Sequence, residues 1–364
     1  MSTPLSEIVQ INIDVRTPVA GSASFDNLLI VGPPPAIAPD KPPVPVGVYN
    51  NLKALEEAGF VSTGDTADPI GVAVRVAFSQ NPGPARVFVA VQQTTETQVL
   101  ESVVDTLRRA LDTTGWYVIC PAGVPESDYQ NIAEWTEAQT KMFAYTFLSA
   151  TDPTGAIFFR SHGWCGLVTD NQVPADVPQA NHYVHVAAVA KTLAFPSGSE
   201  TWAHQSVSGV FPAQTSSTFR KVLEDGHSNY IRSVESRTLT FPGKMRGGEW
   251  IDVVRGRDWL ENDMQLRIFN LLLMHSKIPY TDSGISLVHN QMIASLKSAQ
   301  TRGIVAEDEY DEYGVLIPGF TTRVPRAANI SPGQKASRLL NGCTFEARLA
   351  GAIHLVRIDG ALTY

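Results

Sequence analysis

Residues 248–284, GEWIDVVRGRDWLENDMQLRIFNLLLMHSKIPYTDSG, decide how this chain is read. Residues 249–254 are short and end in β-branched side chains, which predicts a strand. Asp258 then stands where a helix N-cap belongs, with Glu261 at capping-box spacing. Leu260, Met264, Ile268, Leu271 and Leu272 recur at helical spacing, and Trp259, Phe269 and Leu273 widen the stripe. A stripe this wide predicts a helix buried on more than one side. His275 and Lys277 suit the negative end of its dipole, and Pro279 closes it. The stretch reads as a packing element, with no reactive chemistry of its own.

Downstream, Ile285, Val288, Met292, Ile293 and Leu296 share one face of a second helix that ends at Gly303. An acidic loop, EDEYDEY, follows, and then a strand over 315–324. Near the end Phe345, Ala347 and Leu349 alternate with Glu346 and Arg348. Residues 352–358 are apolar enough to be buried on both faces of a strand.

Upstream, strands and helices alternate. Strands are expected at 25–31, 86–91, 116–120 and 143–148, with 156–160 and 166–169 continuing the series. Helices are expected at 49–58, from Asp68-Pro69, from Thr95 or Thr97 to Leu111, at 128–140, from Asn181, and at 219–224. Residues 230–241 form one or two strands, and the proline-rich stretch after Val31 is an extended loop. At the other terminus Val9, Ile11, Ile13 and Val15 alternate with polar residues, a half-buried strand cut off by Pro18 and Gly21. The expected fold is α/β: a mixed-sheet core with a C-terminal α+β part and extended terminal β-strand arms. Its divisions are an arm at 1–20, a core at 21–245, an α+β part at 246–343 and a second arm at 344–364.

The net charge of −8 argues against a general nucleic-acid binder. Cys120, Cys165 and Cys343 are far apart with no CxxC pair, as in a reducing compartment. The opening MSTPLSEIVQINIDV lacks a signal-peptide pattern, and no apolar run reaches membrane-spanning length. The expectation is therefore synthesis in a cytoplasm with no membrane insertion.

Enzyme-like fragments are sparse. His182 and His185 stand three apart on a helix, but HExxH and a third ligand motif are missing. His162 and Cys165 in RSHGWCG suggest a Cys–His pair, against a plainer reading as a Gly-rich turn with a buried Trp and thiol. Gly226-His227-Ser228 is not a nucleophile elbow. Neither a P-loop nor a GxGxxG follows the strand at 25–31, and the acidic run lacks EF-hand spacing. No cofactor, metal or catalytic residue is expected. The terminal strands remain, and each must pair somewhere, because open edges aggregate. They pair within the chain, or they are donated between chains, with backbone hydrogen bonds contributing roughly 0.5–1.5 kcal/mol each.

In order of parts the chain resembles the tail sheath proteins of contractile phages and related injection machines, in their compact form. The matching segments are SEIVQINIDVRTP, FDNLLIVGPPP with VGVYNNLKALEEAGF, DPIGVAVRVAFSQNPGPARVFVAVQ, and the opening stretch itself. The resemblance covers most of the chain and is loose between about Thr94 and Thr240. It implies a subunit that stacks in homo-oligomeric rings around a tail tube protein, between baseplate and tail terminator proteins. Exchanged terminal strands would link the subunits, and contraction would drive the tube into a target cell. The particle would be a virion tail or a prophage-derived injection device, without nucleic-acid or membrane partners. By resemblance, Val9, Ile11, Ile13 and Val15 belong to one exchanged strand, and Ala352, His354, Val356 and Ile358 to the other. Lys297 and Arg302 become candidates for contact with an acidic tube. Two other readings stay open: a non-contractile tail or baseplate component, and a hydrolase-like enzyme using His162 or His227.

Overall fold

The computed structural model describes residues 24–36, 44–94, 99–113, 115–154, 158–168, 179–213 and 216–358. The expected strand at 9–15 lies outside the described residues. The apolar runs form one eight-stranded sheet: β1 Leu28–Gly32, β2 Val46–Tyr49, β3 Val87–Val91, β4 Val118–Pro121, β5 Met142–Phe147, β6 Ser161–Cys165, β7 Asn229–Val234 and β8 Arg237–Phe241. Their order is β2-β3-β1-β4-β5-β6-β7-β8. The run from β3 to β7 is parallel, and β2 and β8 pair antiparallel at the two edges.

Inner parallel strands are covered on both faces, which is why β1, β3, β5 and β6 are buried at every position. Leu28 and Ile30 enter a core with α1 Leu52–Glu57, α2 Pro69–Phe78 and α5 Val184–Leu193. Leu29 and Val31 enter the opposite core with α3 Val103–Ala110, α4 Tyr129–Glu137 and α6 Ser217–Asp225. Asp68 and Pro69 open α2 as their types predict, but the Asp68 carboxylate accepts from the amides of Ala36 (2.8 Å) and Val61 (2.7 Å) instead of capping the helix. The helix expected from Thr95 or Thr97 starts later, with Ser102 as N-cap accepting from the Asp105 amide. His162–Cys165 are not a turn: they lie inside β6, between β5 and β7.

The opening stretch is corrected at its start. Residues 251–254 are not a strand but the first turn of α7, Ile251–Met274. Ile251, Val254, Arg255 and Asp258 recur at i, i+3, i+4 and i+7, so the buried face begins a full two turns before the expected cap. Burial of that face outweighs the modest helix propensity of its valines. Asp258 is a fully buried mid-helix side chain, not an N-cap. The expected two-sided burial also fails in the second half of the helix, where Phe269, Leu272, Leu273 and Met274 are exposed, Met274 by 75%.

α8, Asp282–Arg302, begins at Thr281, whose side chain accepts from the Gly284 amide. It ends at Gly303, whose φ of 80° lets its N–H reach the carbonyls of Ala299 and Gln300. The expected strand at 315–324 is split at Pro318-Gly319 into β10 Leu316–Ile317 and β11 Phe320–Arg323. β10 pairs with β9 Glu309–Tyr310, and β11 with β12 Thr344–Ala347; a short helix, α9 Pro332–Ala336, lies between β11 and β12. Residues 352–358 form no strand among the described residues and, apart from the half-buried His354, are exposed, not buried on both faces.

Candidate assembly surface

The first half of α7 fastens the C-terminal helices to the sheet. Arg255 is fully buried and donates to Glu200 Oε1 (2.7 Å), Asp26 Oδ1 (2.9 Å), and the carbonyls of Phe25 (3.1 Å) and Phe195 (2.9 Å). Glu200 Oε2 accepts from the Gly198 amide at 2.8 Å. Burial pushes the Glu200 carboxyl above its usual range, and Arg255 opposes that shift. One turn on, Asp258 accepts a two-pronged contact from Arg160 (2.7 and 3.2 Å) and a bond from the Tyr117 hydroxyl (2.7 Å). Burial, and then the adjacent Asp258 charge, push the Tyr117 phenol well up. These two contacts span the sheet from β1 to the start of β6. Sequence periodicity gave no hint of either partner set.

α8 folds back along α7. Asp263 Oδ2 accepts from Arg267 Nε and Ser295 Oγ, both at 2.7 Å, and the Arg302 guanidinium lies 4.3 Å over the Trp259 ring. The sequence stripe that should have been covered instead lines an open apolar groove of about 630 Å³. Leu260, Met264, Ile268, Phe269 and Leu272 form one wall and Phe345 of β12 the other.

Beyond Phe345 the C-terminal segment runs to the first turn of α7, where Leu349, Gly351 and Ala352 meet Gly198, Asp252 and Val253. Val305 bridges Leu349, and the Ala350 amide donates to the Ile304 carbonyl (3.2 Å). His354 holds the segment to the body: its Nε2 is 2.8 Å from Thr201 Oγ1 and its ring meets Trp250 edge-on at 4.7 Å. Around it Ile353, Leu355, Val356 and Ile358 face solvent, Ile358 by 88%, and Ala352 is exposed too. Of the other predicted site residues, Val9, Ile11, Ile13 and Val15 lie outside the described residues. Lys297 is exposed at the end of α8, beside Glu307 and Asp308. Arg302, stacked on Trp259, is half-buried.

Of the enzyme-like residues His162, Cys165 and His185 are core, His227 is half-buried and His182 is exposed. His162 accepts from Trp164 Nε1 at 2.8 Å, is fully buried, and is pushed down to about 3 by desolvation. Burial holds the Cys165 thiol up, the reverse of an activated nucleophile. His185 bonds Thr146 in the core, and the His227 ring lies 3.2 Å from the Arg246 carbonyl. Among the described residues no group of three or more His, Cys, Asp or Glu side chains is arranged to hold a metal ion.

Comparison with known proteins fits this geometry. Residues 251–360 match the family model described as E217 tail sheath protein gp31-like, C-terminal domain. That match starts at the first residue of α7. No curated protein matches the chain. The contracted helical sheath of the anti-feeding prophage (AFP) superposes with a TM-score of 0.69 at 14% identity, covering 97% of this chain and 98% of that one. The contracted sheath complex of an extracellular contractile injection system, PVC, gives 0.64 at 12% identity, covering 99% and 98%. The sheath tail protein of Desulfitobacterium hafniense gives 0.56 at 10% identity, covering 86% and 93%. At such identities the likeness is one of fold.

Proposed function

We propose, on the premise that this chain is a contractile-type tail sheath protein with a gp31-like C-terminal domain, that it is the repeating subunit of a contractile sheath. Copies stack in rings around a tail tube, between a baseplate and a terminator, and exchange terminal strands. The observation that carries the reading is the segment after Leu349, which forms no strand among the described residues. A run of exposed apolar residues follows the two-stranded sheet β11–β12, whose Phe345 lines an exposed apolar groove. A two-stranded sheet is marginal alone and leaves edges open to added strands. A partner's segment laid along β11 or β12 satisfies those edges and covers Phe345 and Leu272. We divide the chain accordingly into an arm at 1–20, a core at 21–245, an α+β part at 246–343 and a C-terminal arm within 344–364. β12 and Leu349 belong to the subunit's own body, so the exchanged part of that last division begins after them. Lys297 remains a proposed contact to the tube; Arg302 contributes there only through its packing on Trp259. The role is structural, and contraction is a rearrangement of near-rigid subunits that stay linked by their arms.

Negative-stain microscopy of the purified chain tests this. Wild type should form long tubes. Deleting residues 351–364, or 1–17, should leave circular dichroism native-like and abolish tubes. Phe345→Asp and Leu272→Asp, both at exposed positions, should shift the melting temperature by little and weaken assembly. Finite rings without a helical polymer point to a non-contractile component, and tubes formed by both deletions sink strand exchange.

A further inference from the structure

The α7–α8 hairpin carries opposite charges at its two ends. Asp282, at the start of α8, accepts from the Ala327 amide at 2.7 Å, so the segment after β11 lies at the distal tip of the hairpin. From that tip to residue 340 the chain carries Arg323, Arg326, Lys335 and Arg338 with no acidic residue, and Lys277 precedes α8 at the same end. At the other end of α8, Gln300 donates to Asp308 Oδ1 (3.4 Å) and to the Ala306 carbonyl (3.0 Å), which places the acidic hairpin there. That hairpin carries Glu307, Asp308, Glu309, Asp311 and Glu312, faced by Arg348 on Glu309 (3.0 Å) and by Lys297. The two groups are about 27 Å apart along eighteen residues of helix. That is several Debye lengths at physiological salt, so they do not attract each other within one subunit.

No contact among the described residues accounts for the separation. The two helices run antiparallel, so their macrodipoles oppose, and neither end of the pair gains by holding one sign of charge. Arg323, Arg326, Lys335 and Arg338 make no ion pair among the described residues. Both ends also expose apolar surface: Leu273 and Met274 at the basic tip, and Tyr310, Tyr313 and Leu316 on the acidic hairpin. Each is a charged rim around apolar anchors, the composition of a protein interface.

We infer that the occupant of each end is the opposite end of a second copy of this chain: the basic tip of one subunit docks on the acidic hairpin of the next. Such a contact is heterologous, so it propagates into an open array instead of closing a two-fold dimer. It is separate from strand exchange, which uses backbone hydrogen bonds, and shares with the sheath reading only the premise of self-association. Exposed ion pairs are individually weak, so the contact depends on several acting together and falls as salt rises.

Two full-length variants test it: Glu307→Lys/Glu312→Lys, which with Lys297 and Arg348 makes the acidic end net positive, and Arg323→Glu/Arg326→Glu/Arg338→Glu, which with Asp282 makes the basic end net negative. By sedimentation at about 0.05 M NaCl each variant alone should associate roughly tenfold more weakly than wild type, or worse. An equimolar mixture of the two should recover association, and about 0.5 M NaCl should remove the recovery. Association of each variant alone at wild-type strength overturns the inference. So does a mixture that fails to associate while both proteins keep native circular dichroism. A wild type without tubes sinks the sheath reading, and the mixture still decides this contact.

Discussion

Arg255→Ala is expected to cost about 3–5 kcal/mol of stability, the largest effect of any single side chain outside the apolar core. The side chain has no solvent exposure, and its removal strands Glu200, itself unexposed, as a buried carboxylate with no countercharge. It also removes donors from the carbonyls of Phe25 and Phe195. These partners come from the start of β1 and from the segment after α5, so the damage falls on the seam between α7 and the sheet. Chemical denaturation followed by far-ultraviolet circular dichroism measures it. A second variant separates charge from packing. In Arg255→Met/Glu200→Gln no buried charge is left, and much of the loss should return, since apolar replacement of a buried pair is often close to neutral. A single Arg255→Ala change costing under about 1 kcal/mol would place the seam elsewhere.

Much of the core was legible because its strands are apolar runs bounded by Pro and Gly, and because those runs are buried on both faces of a parallel sheet. The end of α8 was legible from Gly303, whose freedom at positive φ acts locally, whereas its start at Thr281 lies a few residues before the one read from the apolar face. What failed was non-local. Ser161–Cys165 holds Ser, His, Gly, Trp and Cys, of which Trp alone favours a strand, and its two sheet neighbours decide its structure. Asp258 looks like a cap by local rules because a buried Asp mid-helix makes sense only beside Arg160 and Tyr117, about a hundred residues or more away in sequence. The groove along α7 failed for a different reason. Periodicity reports that a face is apolar; it does not report that the same chain covers it. Phe269 and Leu272 carry the same signal as Val254, and only Val254 is buried. The assembly surface was thus half visible, as an apolar stripe and an apolar tail with no chemistry to explain them. Its charge polarity was missed because the acidic run was read alone, without the basic segment at the other end of α8.

Acidification is expected to weaken the sheet through its buried histidines, and the effect can be isolated. His162 and His185 are both buried and both pushed down to about 3, chiefly by desolvation. In the unfolded chain each returns to about 6.5. A base depressed in the folded state binds its proton more weakly there than in the unfolded chain. The stability it supports is therefore fully present above about pH 6.5 and is lost as pH falls towards 3, by roughly 1.4 kcal/mol per pH unit for each histidine. Asp252 works in the opposite direction: burial raises it to about 6, so its penalty is relieved as pH drops through that value. Glu200, also raised by burial, shares that sign. A pH scan of wild type alone mixes these contributions. The difference between wild type and His162→Gln removes Asp252 and Glu200, which are common to both proteins. Gln keeps an acceptor for the Trp164 indole N–H, so the variant retains the 2.8 Å bond in kind. Unfolding free energies should show wild type ahead by a constant margin above about pH 7, with the margin shrinking by about 1.4 kcal/mol per unit from pH 6 to 4. A margin that stays level through that range means His162 takes up its proton within the folded sheet near its ordinary value. The desolvated setting between Trp164 and Trp202, whose ring lies 5.2 Å from the imidazole, would then not govern its charge.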